Sequence, residues 1–456
     1  MKNKISDKSE IFERMPIGRA LATMAIPTVI SQLIMLIYNI ADTWFIGQTD
    51  NPYMVAASSL VLTVYLLVSA LADLFAVGGG NLTVRLLGAG DEVEASKVAS
   101  WSLIWSGITA LAFSVLCYVF MEPMLRLLGA SDQTIGFAGQ YLLFVVVIGG
   151  LPTMLARTMS SMLRNIGYSK EAGFGLGLGG LLNVALDPLL MFVIMPDGLQ
   201  VMGAAIATML SNVISFVYYV IVYRRVQSVT ILSLPVKPVR IQKKSISSVF
   251  SVGIPAAVGF ILYDLTNMVI NRLSAAHSDL ELAAMGIVLK VERLPLNIGI
   301  GICLGMMPLI AYNYASGNRE RMRKFFSAAR MAGIVVCLVS MVLYRAFAPF
   351  IVRAFISDGA TVEYGTTFLK VRCFSALFMF LSFNMVHFMQ AVDRGKVSFW
   401  LGVIRQLCLN IPILLVMNYL FGMTGIVWTQ TIADVINVSI AYTIYFRVAG
   451  RRCERL

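Results

Sequence analysis

Residues 17–46 read IGRALATMAIPTVISQLIMLIYNIADTWFI, and between Arg19 and Asp42 they carry no charged side chain. A helix rises about 1.5 Å per residue, so this uncharged stretch covers about 30 Å, the thickness of a bilayer's hydrocarbon core. Predominantly apolar segments, some with a few charged residues, follow at 54–83, 97–120, 134–162, 171–195, 199–223, 246–273, 281–313, 325–348, 364–390, 397–420 and 423–446. Across all 456 residues, 58% are hydrophobic and 13% are charged, with a mean hydropathy of +0.80. Soluble domains carry about 25% charged residues. The composition leaves no room for a sizeable soluble domain. The expected fold is all-α and membrane-integral, with twelve transmembrane helices. Met1 to Arg14 is charged and polar, without the apolar core of a cleavable signal, so the first helix is expected to be retained.

The charges orient these helices. Arg85 and Lys97, Arg164 and Lys170, the basic residues from Arg224 to Lys244, Arg319 to Lys324, Arg394 and Lys396, and Arg447 to Arg455 all fall in alternate loops, on the side of the N-terminal Lys2, Lys4, Lys8 and Arg14. The other side carries only Arg126, Arg272, Arg345 and Arg353. Basic loops stay in the cytoplasm, which predicts a multi-pass protein of the cell (inner) membrane with both termini cytoplasmic. The net charge of +12 is therefore topological, and its scatter among loops argues against a nucleic-acid partner. Six cysteines without paired spacing read as small hydrophobes.

The longest polar loop contains Pro235 and Pro238 and divides the chain near its middle. The expected organisation is a cytoplasmic tail at 1–16, a six-helix bundle at 17–223, a cytoplasmic linker at 224–245, a second six-helix bundle at 246–446 and a cytoplasmic tail at 447–456. The halves match weakly at a nearly constant offset: Ile26-Pro27 on Ile254-Pro255, Asn39 on Asn267, Gly78 on Gly305, Gly90 on Gly317, Lys170 on Lys396 and Asn183 on Asn410. An even number of spans per copy makes the repeats parallel, related by a pseudo-two-fold axis along the membrane normal.

Carboxylates inside a bilayer cost at least about 2.5 kcal/mol on insertion scales, which makes each a functional candidate. Asp42 shares a polar stretch with Tyr38 and Asn39, and Asp187 shares a helix face with Asn183. Asp42, Asp187 and Thr208 lie at compatible depths below the outer helix ends, which allows one polar pocket in the outer half of the first bundle. The alternative reading makes Asp42 an interface acid and Asp187 a hydrogen-bond partner of a neighbouring helix. Pro27 and Pro255 sit inside the first and seventh helices, where each is either a hinge or a passive kink. Asp73, Asp264 and Asp434 show no strong partner in the sequence. Lys290 is expected to pair locally with Glu292 and Arg293 in the eighth helix. His387 and Asp264 form a possible proton relay, against the plainer reading of His387 as a hydrogen-bonded packing residue.

The motifs Ala25-Ile26-Pro27-Thr28 and Tyr38-Asn39-Ile40-Ala41-Asp42-Thr43-Trp44-Phe45-Ile46-Gly47 resemble the opening of multidrug and toxic compound extrusion (MATE) proteins. Gly88-Ala89-Gly90-Asp91, Leu182-Asn183 with Asp187-Pro188, Gly203-Ala204-Ala205 with Thr208, and Pro308 with Tyr312-Asn313-Tyr314 continue the resemblance in order. It implies cation-coupled export of bulky, often cationic amphiphiles by alternating access. It also implies a cation site at Asp42, Asn183, Asp187 and Thr208 with the backbone carbonyl of Ala204, in the branch with two aspartates in the N-terminal half. Sodium suits those oxygens, and a proton shared by two acids suits them equally. Tyr38 and Asn39 are candidate pocket residues, and bending at Pro27 is the candidate coupling motion. Some branches use acids in the seventh and tenth helices; here Asp264 is near the first place, but the tenth carries Asn384 and His387. That puts a second cation site in doubt.

The expected partners are the lipid bilayer and small amphiphilic or cationic compounds, with a monomer expected, no cofactor, and Na⁺ or H⁺ as the coupling ion. Two rival functions remain. A flippase for lipid-linked saccharides needs free cations in its cavity, and the candidates Arg157, Lys290, Arg293, Lys370, Arg372 and Arg405 include several near helix ends that can snorkel. A membrane-embedded enzyme needs a metal cluster or nucleotide loop. The sequence has only two histidines, and the Gly173–Gly180 run suits helix packing better.

Overall fold

A computed structural model describes residues 9–234 and 238–453. Parts of the three expected cytoplasmic segments, residues 1–8, 235–237 and 454–456, lie outside the described residues. A short helix α1 (Ser9–Glu13) precedes α2 (Ile17–Gly47), α3 (Pro52–Gly88) and α4 (Glu92–Val119). Next come α5 (Met121–Leu127), α6 (Ile135–Leu142), α7 (Gly150–Asn165), α8 (Ser169–Pro188) and α9 (Gln200–Val226). The second half holds α10 (Lys243–Ala275), α11 (Asp279–Ala315), α12 (Arg319–Arg353), α13 (Gly359–Arg372), α14 (Ser375–Ala391), α15 (Gly395–Val403) and α16 (Ile411–Cys453). Helices α9, α10 and α16 run past the boundaries expected for the bundles, into both the linker and the last tail.

Among the described residues, nine helices are individually long and apolar enough to cross a membrane, and two bent pairs add one crossing each. The 52-residue helical stretch Gly395–Phe446 breaks at Gly422, whose φ of 58° only glycine adopts readily, and so makes two crossings. The result is twelve spans. Three of them are completed by π-helical turns, at Leu143–Ile148, Leu189–Ile194 and Ile404–Asn410. The loops are tight because their own residues cap them: Asp91 accepts from the Glu94 amide and Asn318 from the Arg321 amide. Each of those caps follows a glycine at φ +82°, Gly90 and Gly317. These two turns are the expected repeat written in backbone geometry.

α2–α9 form one six-helix bundle and α10–α16 the other. The end carrying both chain termini is called the base here, and the opposite end the mouth. At the base the two bundles share cores: Met24 and Ala25 pack with Met306 and Ile310, and Phe75 and Trp101 pack with Val249. Toward the mouth each bundle keeps its own, around Val61 and Tyr141 in one and Met285 and Tyr344 in the other.

The bundles meet along two symmetric crossings. A Cβ on Gly78 of α3 would lie 2.2 Å from the Val249 carbonyl oxygen of α10, and one on Gly305 of α11 would lie 2.5 Å from the Ala25 Cα of α2. The backbones therefore touch at both crossings. Polar clasps reinforce the base. Arg85 pairs with Asp393 at 2.6 Å, and Glu94 accepts from the Gln242 amide at 3.1 Å and the Ser245 hydroxyl at 2.9 Å. Arg321 donates to the carbonyls of Phe12 and Met15 at 2.7 and 2.6 Å. The molecule is a clamshell, closed at the base and parted at the mouth.

Candidate functional site

Inside the first bundle, α8 lies against α2 because the Gly173–Gly180 run leaves it without bulk. Added Cβ atoms would fall 2.5 Å from the Pro27 carbonyl at Gly173 and 2.8 Å from the Ile34 side chain at Gly180. The same approach sets Tyr38 3.2 Å from the Cβ position of Gly180. Asp42, one turn further along α2, is thereby directed toward the outer end of α8.

There Asn183 organises the polar groups. Its amide nitrogen donates to Asp187 Oδ1 at 3.2 Å and to Thr208 Oγ1 at 3.2 Å. Asp187 is fully buried, Asn183 nearly so, and Asp42 is half-buried. The Tyr141 hydroxyl faces Asp42, and the two carboxylates lie within electrostatic range of one another. Three buried oxygens, Asp42 Oδ1, Asp187 Oδ2 and Asn183 Oδ1, have no hydrogen-bond partner among the described residues. All are acceptors, and a buried orphan acceptor costs about 1–3 kcal/mol. A group that brings positive charge or a donated proton satisfies them, and this oxygen-only set suits a hard cation. Ala204 is fully buried one turn before Thr208 on α9, where Gly203 lets that helix close on Leu190.

The other expected residues separate into distinct surroundings. Tyr38 lines a polar pocket with Tyr65, Arg157, Asn183 and Thr208. Asn39 does not join them: it is exposed and gives its amide to the Met35 carbonyl at 2.6 Å. Four positions separate it from Met35, so a backbone carbonyl was always within its reach. Pro27 and Pro255 are both carried inside unbroken helices.

Asp73, for which the sequence shows no partner, accepts from Arg157 on both oxygens, at 3.1 and 3.2 Å. Asp434 likewise pairs with Arg405 at 2.5 Å, and Gln430 donates to it at 2.6 Å. Glu292 does not pair with its neighbours Lys290 and Arg293. It is buried against Arg372 at 2.7 Å and accepts the Ser375 hydroxyl at 2.5 Å, because its side chain points into the bundle while theirs point out. Arg157, Arg372 and Arg405 are consequently held in ion pairs and do not snorkel. Among the described residues Asp264 meets only Arg293, at 3.9 Å. The His387 ring lies 2.7 Å from the Phe383 carbonyl, the packing arrangement and not a relay to Asp264. Tyr141 was not singled out by the sequence. Arg157 was grouped with the candidate cavity cations; an arginine inside a span calls for an acid, but nothing in the sequence names which one.

Comparison with known proteins agrees with this architecture. The sequence profile of the MatE family matches residues 27–189 and 255–416, one stretch in each bundle. The multidrug export protein MepA of Staphylococcus saprophyticus is 32% identical over 441 residues, covering 96% of both chains. MepA of Staphylococcus aureus is 31% identical over 440 residues, with the same coverage. Among solved structures, an outward-facing multidrug resistance MATE family transporter of the MOP superfamily superposes with a TM-score of 0.92 at 19% identity, covering 100% of both chains. The chain belongs to the MatE family of membrane transporters.

Proposed function

We propose that this protein is a secondary-active multidrug exporter that exchanges Na⁺ or H⁺ for amphiphilic compounds by alternating access. The observation that carries the reading is the pair Asp42 and Asp187, each with an orphaned buried oxygen inside one bundle and no basic partner among the described residues. The names of the staphylococcal relatives support the export of drugs.

In this reading the base is the cytoplasmic face, as the basic loops require, and the protein sits in the cell membrane as a monomer with both termini inside. Residues 17–223 and 246–446 act as the two moving bodies, joined by the linker 224–245. A cation from outside enters through the mouth and is held by Asp42, Asp187, Asn183 and Thr208, with the Ala204 carbonyl nearby. Its charge replaces the cost of two facing carboxylates, so cation occupancy and the packing of α2 against α8 are linked. Pro27, whose carbonyl touches Gly173, is the point at which such a change bends α2. Exchange follows if drug and cation favour different packings.

The flippase alternative needs a cluster of free cations in the cleft; of its six candidates, Arg157, Arg372 and Arg405 are already neutralised by acids, which leaves too few for a pyrophosphate cradle. Uptake of a fluorescent dye into everted membrane vesicles tests the proposal, under imposed Na⁺ and H⁺ gradients in turn. Accumulation driven by one gradient and lost in Asp42→Asn and Asp187→Asn is the expected result and identifies the ion. Undiminished transport in both variants would remove the coupling site.

A further inference from the structure

Lys290 and Arg293 lie deep in α11, yet neither is used by the site above. Lys290 is eleven residues into the helix, or about 16 Å from its mouth end. It is exposed and has no ion-pair partner among the described residues, while the Arg293 side chain is 47% exposed with only the distant Asp264 beside it. A free lysine at that depth is costly against lipid and belongs on a surface that water reaches.

The helix phase identifies that surface. Lys290, Asn297 and Gly301 are spaced by seven and eleven residues, close to whole turns of an α-helix, so they share one face. At Gly301 this face meets the other bundle, since its Cβ position is 2.7 Å from the Val29 Cα of α2. Asp264 stands in the same relation on α10, eleven residues beyond Gly253, whose Cβ position is 2.2 Å from the Leu74 carbonyl of α3. Below these residues the bundles touch; beside them the bundles have parted. Lys290, Arg293 and Asp264 therefore line the cleft, on a wall with two positive charges and one negative.

The opposing wall is of another kind. Beyond Val29, α2 presents Leu36 and Ile40 in the same phase, and Ile40 is exposed, as is Leu67 of α3. On α2, Tyr38 and Asp42 fall on the opposite side of the helix, toward α8. The cleft thus pairs an apolar surface with a basic one, while the acids remain inside the bundle.

We propose that Lys290 and Arg293 receive an anionic group of the transported compound, so that the substrates include amphiphiles bearing a carboxylate along with the cationic ones. This rests on the export reading for its direction of transport but not for the binding itself. The apolar body lies on α2 and α3, and the carboxylate takes charge-assisted hydrogen bonds from the Lys290 ammonium and the Arg293 guanidinium. Asp264 holds Arg293 loosely enough to release it.

The test uses two rhodamine dyes that differ only in having a free carboxylate or its methyl ester. Their binding to the full chain in phosphatidylcholine nanodiscs is read by fluorescence anisotropy. Tighter binding of the carboxylate dye is expected, with Lys290→Gln and Arg293→Gln each weakening it about tenfold and leaving the ester unchanged. Lys290→Arg should retain the preference. Equal affinities of the two dyes in the unaltered protein would overturn the proposal, and so would equal weakening of both dyes by the variants. If added phosphatidylglycerol removes the preference, the site belongs to a lipid headgroup and the substrate assignment fails. Vesicle uptake of the ester separates the two ideas. Absent uptake with an intact binding preference rejects export alone, and gradient-driven uptake without any preference rejects only the anion site.

Discussion

Asp187 on α8 and Asp434 on α16 are both fully buried, and they sit in bundles that repeat the same design. Asp434 is met by Arg405 and Gln430, and the network continues through Asn410 to Gln406 and Thr266. Among the described residues Asp187 is met by Asn183 alone, with one oxygen unpartnered. Asn183 and Asn410 are themselves a repeat pair. The second bundle therefore supplies the counter-charge of Asp434 covalently, as an arginine, where the first gives Asp187 no cationic side chain among the described residues. The contrast extends to Glu292, closed by Arg372, and to Asp42, which has no such partner.

The largest expected effect breaks the closed side of this comparison. Arg405→Leu leaves Asp434 buried without a counter-charge and should cost about 3–5 kcal/mol, read as a lowered thermal midpoint in detergent. The double variant Arg405→Leu/Asp434→Leu should recover most of that loss, because an apolar pair avoids the desolvation of two ions. No recovery would mean that the network, and not the charge pair, sets the stability.

On the open side, Asp187→Asn should behave in the reverse manner. Gradient-driven transport is expected to fall about a hundredfold, equivalent to roughly 2.7 kcal/mol, while folding stability changes by less than about 1 kcal/mol. Titrating the coupling ion should raise the thermal midpoint of the unaltered protein, by an amount corresponding to about 2.7 kcal/mol at a hundred times Kd. Asp42→Asn and Asp187→Asn should both abolish that rise. An ion effect that persists in them would place the site elsewhere.

Smaller effects sharpen the picture. Gly78→Leu inserts a side chain where α3 meets the Val249 carbonyl and should destabilise the closed base by about 1–3 kcal/mol. Increased labelling of a cysteine introduced at the base would report that opening. Asn183→Ala keeps both acids but removes their anchor; coupling-ion affinity should weaken about fivefold, or roughly 1 kcal/mol, in the same thermal titration.

Much of this was legible in the chain. The twelve spans follow from predominantly apolar runs long enough to cross a bilayer, and Gly90 with Gly317 marks the repeat. Asn183 and Asp187 are one turn apart on one helix, so their bond is a local matter that spacing predicts. Asn39 shows the limit of the same reasoning: it is a polar neighbour of Asp42 in sequence, but the α2 surface carries it outward. Arg157 with Asp73, and Arg372 with Glu292, join residues separated by 84 and 80 positions. No periodicity in either segment specifies such a partner.

The sequence by itself determined that the chain crosses a membrane, how often, with which face basic, and which acids stand inside. Those properties are sums over single residues or adjacent turns, set by transfer energy and helix geometry. The tertiary structure alone decided which acids are neutralised and which are left open, and that the bundles touch at the base and part at the mouth. Those depend on which helices come within a few ångströms of each other, and close packing at Gly78, Gly173 and Gly305 settles that for the molecule as a whole.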